Sequence, residues 1–122
     1  MSRRVVVLAQ DLIWADRLGR AVGSAGAEPV RVATLASFAA ALEGADAAVI
    51  DLTALAYDGV AAIEVAQAAG TRVLAVGQHD DHELRKRALG AGAERVYAYR
   101  KLFEDGPATI AAFLERTTPV GS

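Results

Sequence analysis

The sequence predicts a doubly wound α/β fold, an open five-stranded parallel sheet of order 2-1-3-4-5 with five helices on its two faces. Three observations carry this expectation. Short β-branched or apolar runs alternate five times with segments of helical apolar spacing. Such alternation implies right-handed crossovers and a parallel sheet covered on both faces. Five strand–helix units are too few to close an eight-stranded barrel. With 122 residues, 53% of them hydrophobic and 23% charged, the chain is a single globular domain. A chain of this size buries about two-thirds of its unfolded surface.

Each element has its own signal. Val5-Val6-Val7-Leu8-Ala9 is a continuous apolar run, the mark of a strand buried on both faces. From Leu12 to Ala25, apolar Trp14, Leu18, Ala21 and Val22 recur at helical spacing, and Gly26 is placed to stop the helix. Val30-Arg31-Val32 is the second strand. Thr34 caps a helix over Leu35–Leu42 that Gly44 ends. Ala47-Ala48-Val49-Ile50 is the third strand and runs into Asp51-Leu52-Thr53. Asp58-Gly59 opens a helix through Ile63 and Val65, closed by Gly70. Val73–Val76 is the fourth strand, and the next helix, with Leu84, Ala88 and Leu89, ends at Gly90 or Gly92. Val96-Tyr97-Ala98-Tyr99 is the fifth strand. Gly106-Pro107 starts the last helix, since proline is tolerated in a first turn. The domain spans residues 1–122, with its core over 4–116 and a polar tail over 117–122.

Composition removes several classes of function. A formal net charge of -2, from 13 basic and 15 acidic residues, argues against nucleic-acid or anionic-membrane binding. The absence of cysteine excludes disulfides, thiolate metal sites and cysteine catalysis. The apolar run after Arg3-Arg4 is too short for a signal peptide or a membrane span, which points to the cytoplasm. No paired acid–base or nucleophile constellation appears, so the chain is read as a non-enzyme.

In an open parallel sheet, ligands bind beyond the carboxyl ends of the strands, near the point where the strand order reverses. Residues just after each strand are therefore the candidates. No glycine precedes Leu18, so the first turn lacks the phosphate-cradling loop of a dinucleotide site. Gly90-Ala91-Gly92 follows a helix and precedes a strand, the wrong order for such a cradle. Asp51 ends the third strand and Asp11 follows the first. Two acids so placed can offer oxygen ligands to a hard cation.

The segment Asp51-Leu52-Thr53-Ala54-Leu55-Ala56-Tyr57-Asp58-Gly59 resembles the signature of response-regulator receiver domains, an acceptor aspartate followed seven and eight residues later by Asp-Gly. Ala91-Gly92-Ala93 and the fifth strand also fall at receiver-like spacing, and the resemblance extends over residues 4 to 116. It is to the CheY-like, flavodoxin-like class, as an atypical member. It implies that Asp51 is the phosphoacceptor, that Asp11, Asp51 and the Thr53 carbonyl hold magnesium weakly, and that an acidic pair is reduced to Asp11 with Gln10 in the other place. It puts Gly77 where the family has a switch hydroxyl, Tyr99 where it has the lysine of strand five, and Arg100 and Leu55 where it has prolines. Losing one electrostatic partner commonly costs roughly 10²-fold or more in such chemistry, and three are changed here. Arg100 or Lys101 would have to bend back to replace the lysine.

His79-Asp80-Asp81-His82 reads as a helix N-terminus capped by Asp80 or Asp81. A zinc site on the two histidines would need two further ligands. Leu84-Arg85-Lys86-Arg87 is a basic helix face. The resemblance makes helix four, strand five and helix five an interaction face, carried by Arg87, Tyr97 and Tyr99. The expected function is a stand-alone receiver-like module that binds a protein partner or a second copy of itself independently of phosphorylation, with no firm cofactor. The alternatives are a phospho-receiver served by a histidine kinase at Asp51, and a small-ligand-binding flavodoxin-like domain.

Overall fold

The computed structural model describes residues 3–115; the polar tail expected over 117–122 lies outside them. Strands β1 (Arg4–Leu8), β2 (Glu28–Val32), β3 (Ala47–Asp51), β4 (Arg72–Gly77) and β5 (Arg95–Ala98) form one sheet. Its order is β2-β1-β3-β4-β5, and every pairing is parallel. Helices α1 (Leu12–Ser24), α2 (Leu35–Ala41), α3 (Gly59–Ala68), α4 (His82–Ala91) and α5 (Tyr99–Glu115) connect and follow the strands. The predicted fold class and strand order are those observed.

Side chains on a strand alternate between the two faces of its sheet, and here that alternation builds two cores. Val5, Val7, Ala47, Val49, Leu74 and Val76 pack with Leu18 and Val22 of α1 and Ile110 and Phe113 of α5. Val6, Leu8, Ala48, Ile50, Val73 and Ala75 pack with Phe38 of α2, Ile63 and Ala66 of α3 and Ala88 of α4. Because both faces are covered, the central strands carry apolar residues continuously, which is why they stood out in the sequence.

The helix starts are fixed by side-chain oxygens that accept first-turn amides. Asp11 caps α1, Thr34 caps α2, Asp58 caps α3 and Asp81 caps α4. Gly92 ends α4 at φ 117°, a left-handed conformation natural to glycine. Gly59 is required for another reason. A Cβ there would lie 3.0 Å from the Leu52 Cα, so its absence lets α3 approach the segment that follows β3.

The end of the sheet departs from the sequence expectation. β5 stops at Ala98, and Tyr99 opens a helical segment that precedes the expected start at Gly106-Pro107. The backbone breaks from helical geometry at Asp105, φ -146° and ψ 34°, so α5 is two helical segments joined at a kink. Pairs Arg100–Glu104 and Lys101–Asp105, each four residues apart, lie along the first segment. Gly106 and Pro107 begin the second segment, where the missing proline N–H costs little.

Candidate functional site

The parallel register brings the carboxyl ends of the strands to one edge, with Asp51 beside Val76 and Gly77 beside Ala98. β1 and β3 are neighbours, but the chain leaves them toward opposite faces, into α1 and α3. A cleft forms at such a reversal point. Here it has a volume of about 660 Å³ and is lined by Gln10, Asp11, Trp14, Asp51, Thr53, Ala54, Leu55, Gln78 and Tyr99.

Asp51 is the floor of the cleft, only 2% exposed. Its Oδ1 accepts the Thr53 amide at 3.1 Å, the Thr53 hydroxyl at 3.1 Å and the Tyr99 phenol. Tyr99 and Thr53 are also hydrogen-bonded to each other. The Tyr99 ring lies against Trp14, with centroids 4.6 Å apart and planes inclined at 42°. Below, the Tyr57 hydroxyl donates to the Asp51 carbonyl at 2.6 Å and lies 3.2 Å from the Leu8 carbonyl, tying the ends of β3 and β1 together. Burial, reinforced by the hydrogen bond to Asp51, pushes the Tyr99 phenol above its usual range. Burial and the nearby Asp51 charge do the same to Tyr57. Both phenols are therefore protonated donors at neutral pH.

The other sequence-derived candidates gather here with altered roles. Gln10 does not leave its amide oxygen free, since Oε1 accepts the Leu55 amide at 2.9 Å and the Ala56 amide at 3.0 Å. Gln10 thus pins the loop after β3 to the end of β1. Asp11 places Oδ1 on the Ile13 and Trp14 amides at 2.8 and 3.1 Å as the α1 cap. Gly77 ends β4 beside Leu52, whose Cδ1 would be 3.5 Å from an added Cβ. Arg100 and Lys101 do not bend back to Asp51; they pair with Glu104 at 3.3 Å and Asp105 at 3.8 Å along α5.

A magnesium ion keeps several waters and binds through one or two carboxylates, and the acidic oxygens left to it here are the second oxygens of Asp11 and Asp51. Gln10 Oε1 and one oxygen of each carboxylate are committed to the chain's own donors. Among the described residues no three His, Cys, Asp or Glu side chains converge as a metal site, at this edge or around His79 and His82. Asp81 caps α4 through the Leu84 amide at 3.0 Å, so the helix-start reading accounts for that acidic segment.

The residues assigned to the interaction face separate. Arg87 is exposed on α4. Tyr97 is half-buried against the core beneath α1 and α5, and Tyr99 belongs to the cleft instead of that face. Sequence reasoning did not assign Trp14, Tyr57 or Gln78 to the site. Trp14 sits at an apolar helical position, where core packing was the simpler reading. Tyr57 and Gln78 lie in connections without periodicity, so no pattern separated them from solvent-facing residues.

Strand order 2-1-3-4-5 and double winding are those of the flavodoxin-like fold, which response-regulator receiver domains share. No family model matches the chain, and no curated protein matches it in sequence. Solved structures match it closely in shape. The receiver domain of the response regulator NarL from Mycobacterium tuberculosis superposes with TM-score 0.79 at 20% identity, over 95% of this chain and 98% of that one. A CheY-like receiver domain protein from Methanospirillum hungatei gives TM-score 0.75 at 20% identity, over 94% and 95% of the two chains. A pilus assembly-related protein from Burkholderia pseudomallei gives 0.70 at 24% identity, over 94% and 92%. At these identities the shared property is the fold. None of the described helices is long and apolar enough to cross a membrane.

Proposed function

We propose that this chain is a receiver-like signalling module that acts through protein–protein contacts and does not depend on phosphorylation of Asp51. The supporting observation is the Tyr99 phenol on the Asp51 carboxylate. Phosphoryl transfer to a carboxylate needs positive charge against the incoming oxygens. A neutral phenol supplies a hydrogen bond to Asp51 Oδ1 and no charge. Arg100 and Lys101, the nearest cations in sequence, are held by acids of their own helix. Without a hydroxyl at Gly77, a phosphoryl group on Asp51 would also lack the side chain through which receivers sense it.

Partner binding in this reading uses the surface of α4, β5 and α5, with exposed Arg87 as its charged contact. The partner is another signalling protein or a second copy of the chain. Incubation with a small phosphodonor and magnesium, followed by intact-mass spectrometry, tests the proposal. The expected result is no stable phosphoryl adduct; an adduct lost in Asp51→Asn would make the chain a phospho-receiver.

A further inference from the structure

We infer that the cleft above Asp51 is a binding site for a small organic cation, a guanidinium or primary ammonium carried on a flat or apolar body. This goes beyond the protein-contact role and does not depend on it. The first observation is charge. Among the residues lining the cleft are two carboxylates, Asp11 and Asp51, and no cationic side chain. The second is the state of the Asp51 carboxylate. All three donors converge on Oδ1, and Oδ2 accepts no hydrogen bond among the described residues. Among the described residues the buried side-chain polar atom without a partner is Thr109 Oγ1, so Asp51 Oδ2 is not sealed away but opens to the cleft. That oxygen is the acceptor Asp51 leaves free for a donor entering the cleft.

The third observation is the wall. Trp14 and Tyr99 both line the cavity, their rings packed on each other, while the Arg17 guanidinium, outside the cavity lining, lies 5.5 Å from the Trp14 ring centre. Those rings give the cleft an apolar wall for the flat or apolar body of the ligand. Guanidinium is weakly hydrated and planar, which suits an aromatic wall beside a carboxylate. Magnesium gives up water reluctantly and keeps several waters when bound, so it gains little from an apolar wall, and a magnesium titration separates the two cations. The volume of about 660 Å³ lies within the range of small-molecule clefts. Charge, the open oxygen and the aromatic wall thus select the same ligand chemistry.

Trp14 is the only tryptophan, so its fluorescence reports directly on the cleft. The test titrates the full chain with methylguanidinium and with phenethylammonium, followed by Trp14 emission and by amide NMR shifts at Thr53. Magnesium chloride at matched ionic strength and a short arginine-containing peptide form separate arms. The expected result is saturation by a free organic cation with Kd about 1 mM or tighter, weakened at least about tenfold in Asp51→Asn. Asp11→Asn should weaken it several-fold while keeping the helix cap, since asparagine caps as well as aspartate. Circular dichroism of both variants confirms the fold. No saturation by either free cation, saturation by the peptide alone, an equal response to magnesium, or unchanged affinity in both variants would each overturn the inference. Absence of a phosphoryl adduct is read separately, so the two proposals can fail independently.

Discussion

Tyr99 carries the chemistry that sets this cleft apart. Its phenol satisfies the Asp51 carboxylate without bringing a charge, and its ring closes the cleft against Trp14. Removing the hydroxyl in Tyr99→Phe should cost about 1.5–3 kcal/mol, the range for a hydrogen bond to a charged group. Urea unfolding at pH 7 measures this. The same phenol makes stability depend on alkaline pH. Tyr57 and Tyr99 titrate above their usual value in the folded chain. Their contribution is fully present below the unfolded tyrosine pKa, near 10. Above it the unfolded chain releases protons that the folded chain retains, so stability falls as pH rises toward the folded values. Melting temperatures from pH 8 to 11 should therefore drop. The drop should be smaller in Tyr99→Phe, and phenolate absorbance of the folded protein should lag that of the unfolded chain.

β4 is anchored by an element-to-element clamp far from the cleft. The Arg72 guanidinium bonds both oxygens of Glu94, at 2.9 and 2.6 Å, and the Phe113 carbonyl at 2.6 Å. It also stands 4.5 Å from the Phe113 ring centre. One planar group thereby joins the start of β4, the residue before β5 and the end of α5. Lysine cannot reproduce the paired geometry. Arg72→Lys should lower stability by about 1–2 kcal/mol, seen as a lower denaturant midpoint with unchanged cleft chemistry. The end of α4 depends on backbone conformation instead. Alanine at Gly92 would meet a left-handed backbone costing about 1–2 kcal/mol, and its Cβ would press on Gln67 Oε1 at 2.7 Å. Gly92→Ala should thus be destabilising by at least that amount in the same assay.

For the molecule as a whole, the cleft touches the proposed contact face, among its lining residues, only at Tyr99, the first residue of α5. Asp51 lies at the edge between β1 and β3, whereas Arg87 is exposed on α4. A ligand or modification shifts an equilibrium only by its differential affinity for two states. With no hydroxyl at Gly77 to report on Asp51, the two regions should be weakly coupled. Asp51→Asn should leave self-association or partner affinity within about twofold of the unmodified chain. Arg87→Glu should weaken it by tenfold or more, about 1.4 kcal/mol. Sedimentation of the purified protein and titration with a captured partner measure both. Equal losses in the two variants would mean that Asp51 governs the contact face.

The sheet and its order were legible in the chain because burial on both faces forces continuous apolar strands. The cap-and-glycine punctuation of α2 to α4 was legible because each signal is local, a side-chain oxygen meeting an amide two or three residues away, whereas Asp11, read as a cation ligand, also caps α1. Position after a strand singled out Asp11 and Asp51, and the structure places them with Thr53 and Tyr99 around one cleft at the carboxyl edge of the sheet. The sequence could not say what those groups would bond. Tyr99 continued the alternation of β5 in sequence, yet it opens a helix, where Arg100–Glu104 and Lys101–Asp105 pair along one face and the phenol reaches Asp51. Gln10 stood in the place of one member of an acidic pair, and its oxygen took the amides of Leu55 and Ala56, 45 and 46 residues away. These choices were decided by tertiary structure alone. A polar side chain at a sheet edge is satisfied by whichever partner the packing of distant segments brings within hydrogen-bond distance, and that proximity has no period in the sequence.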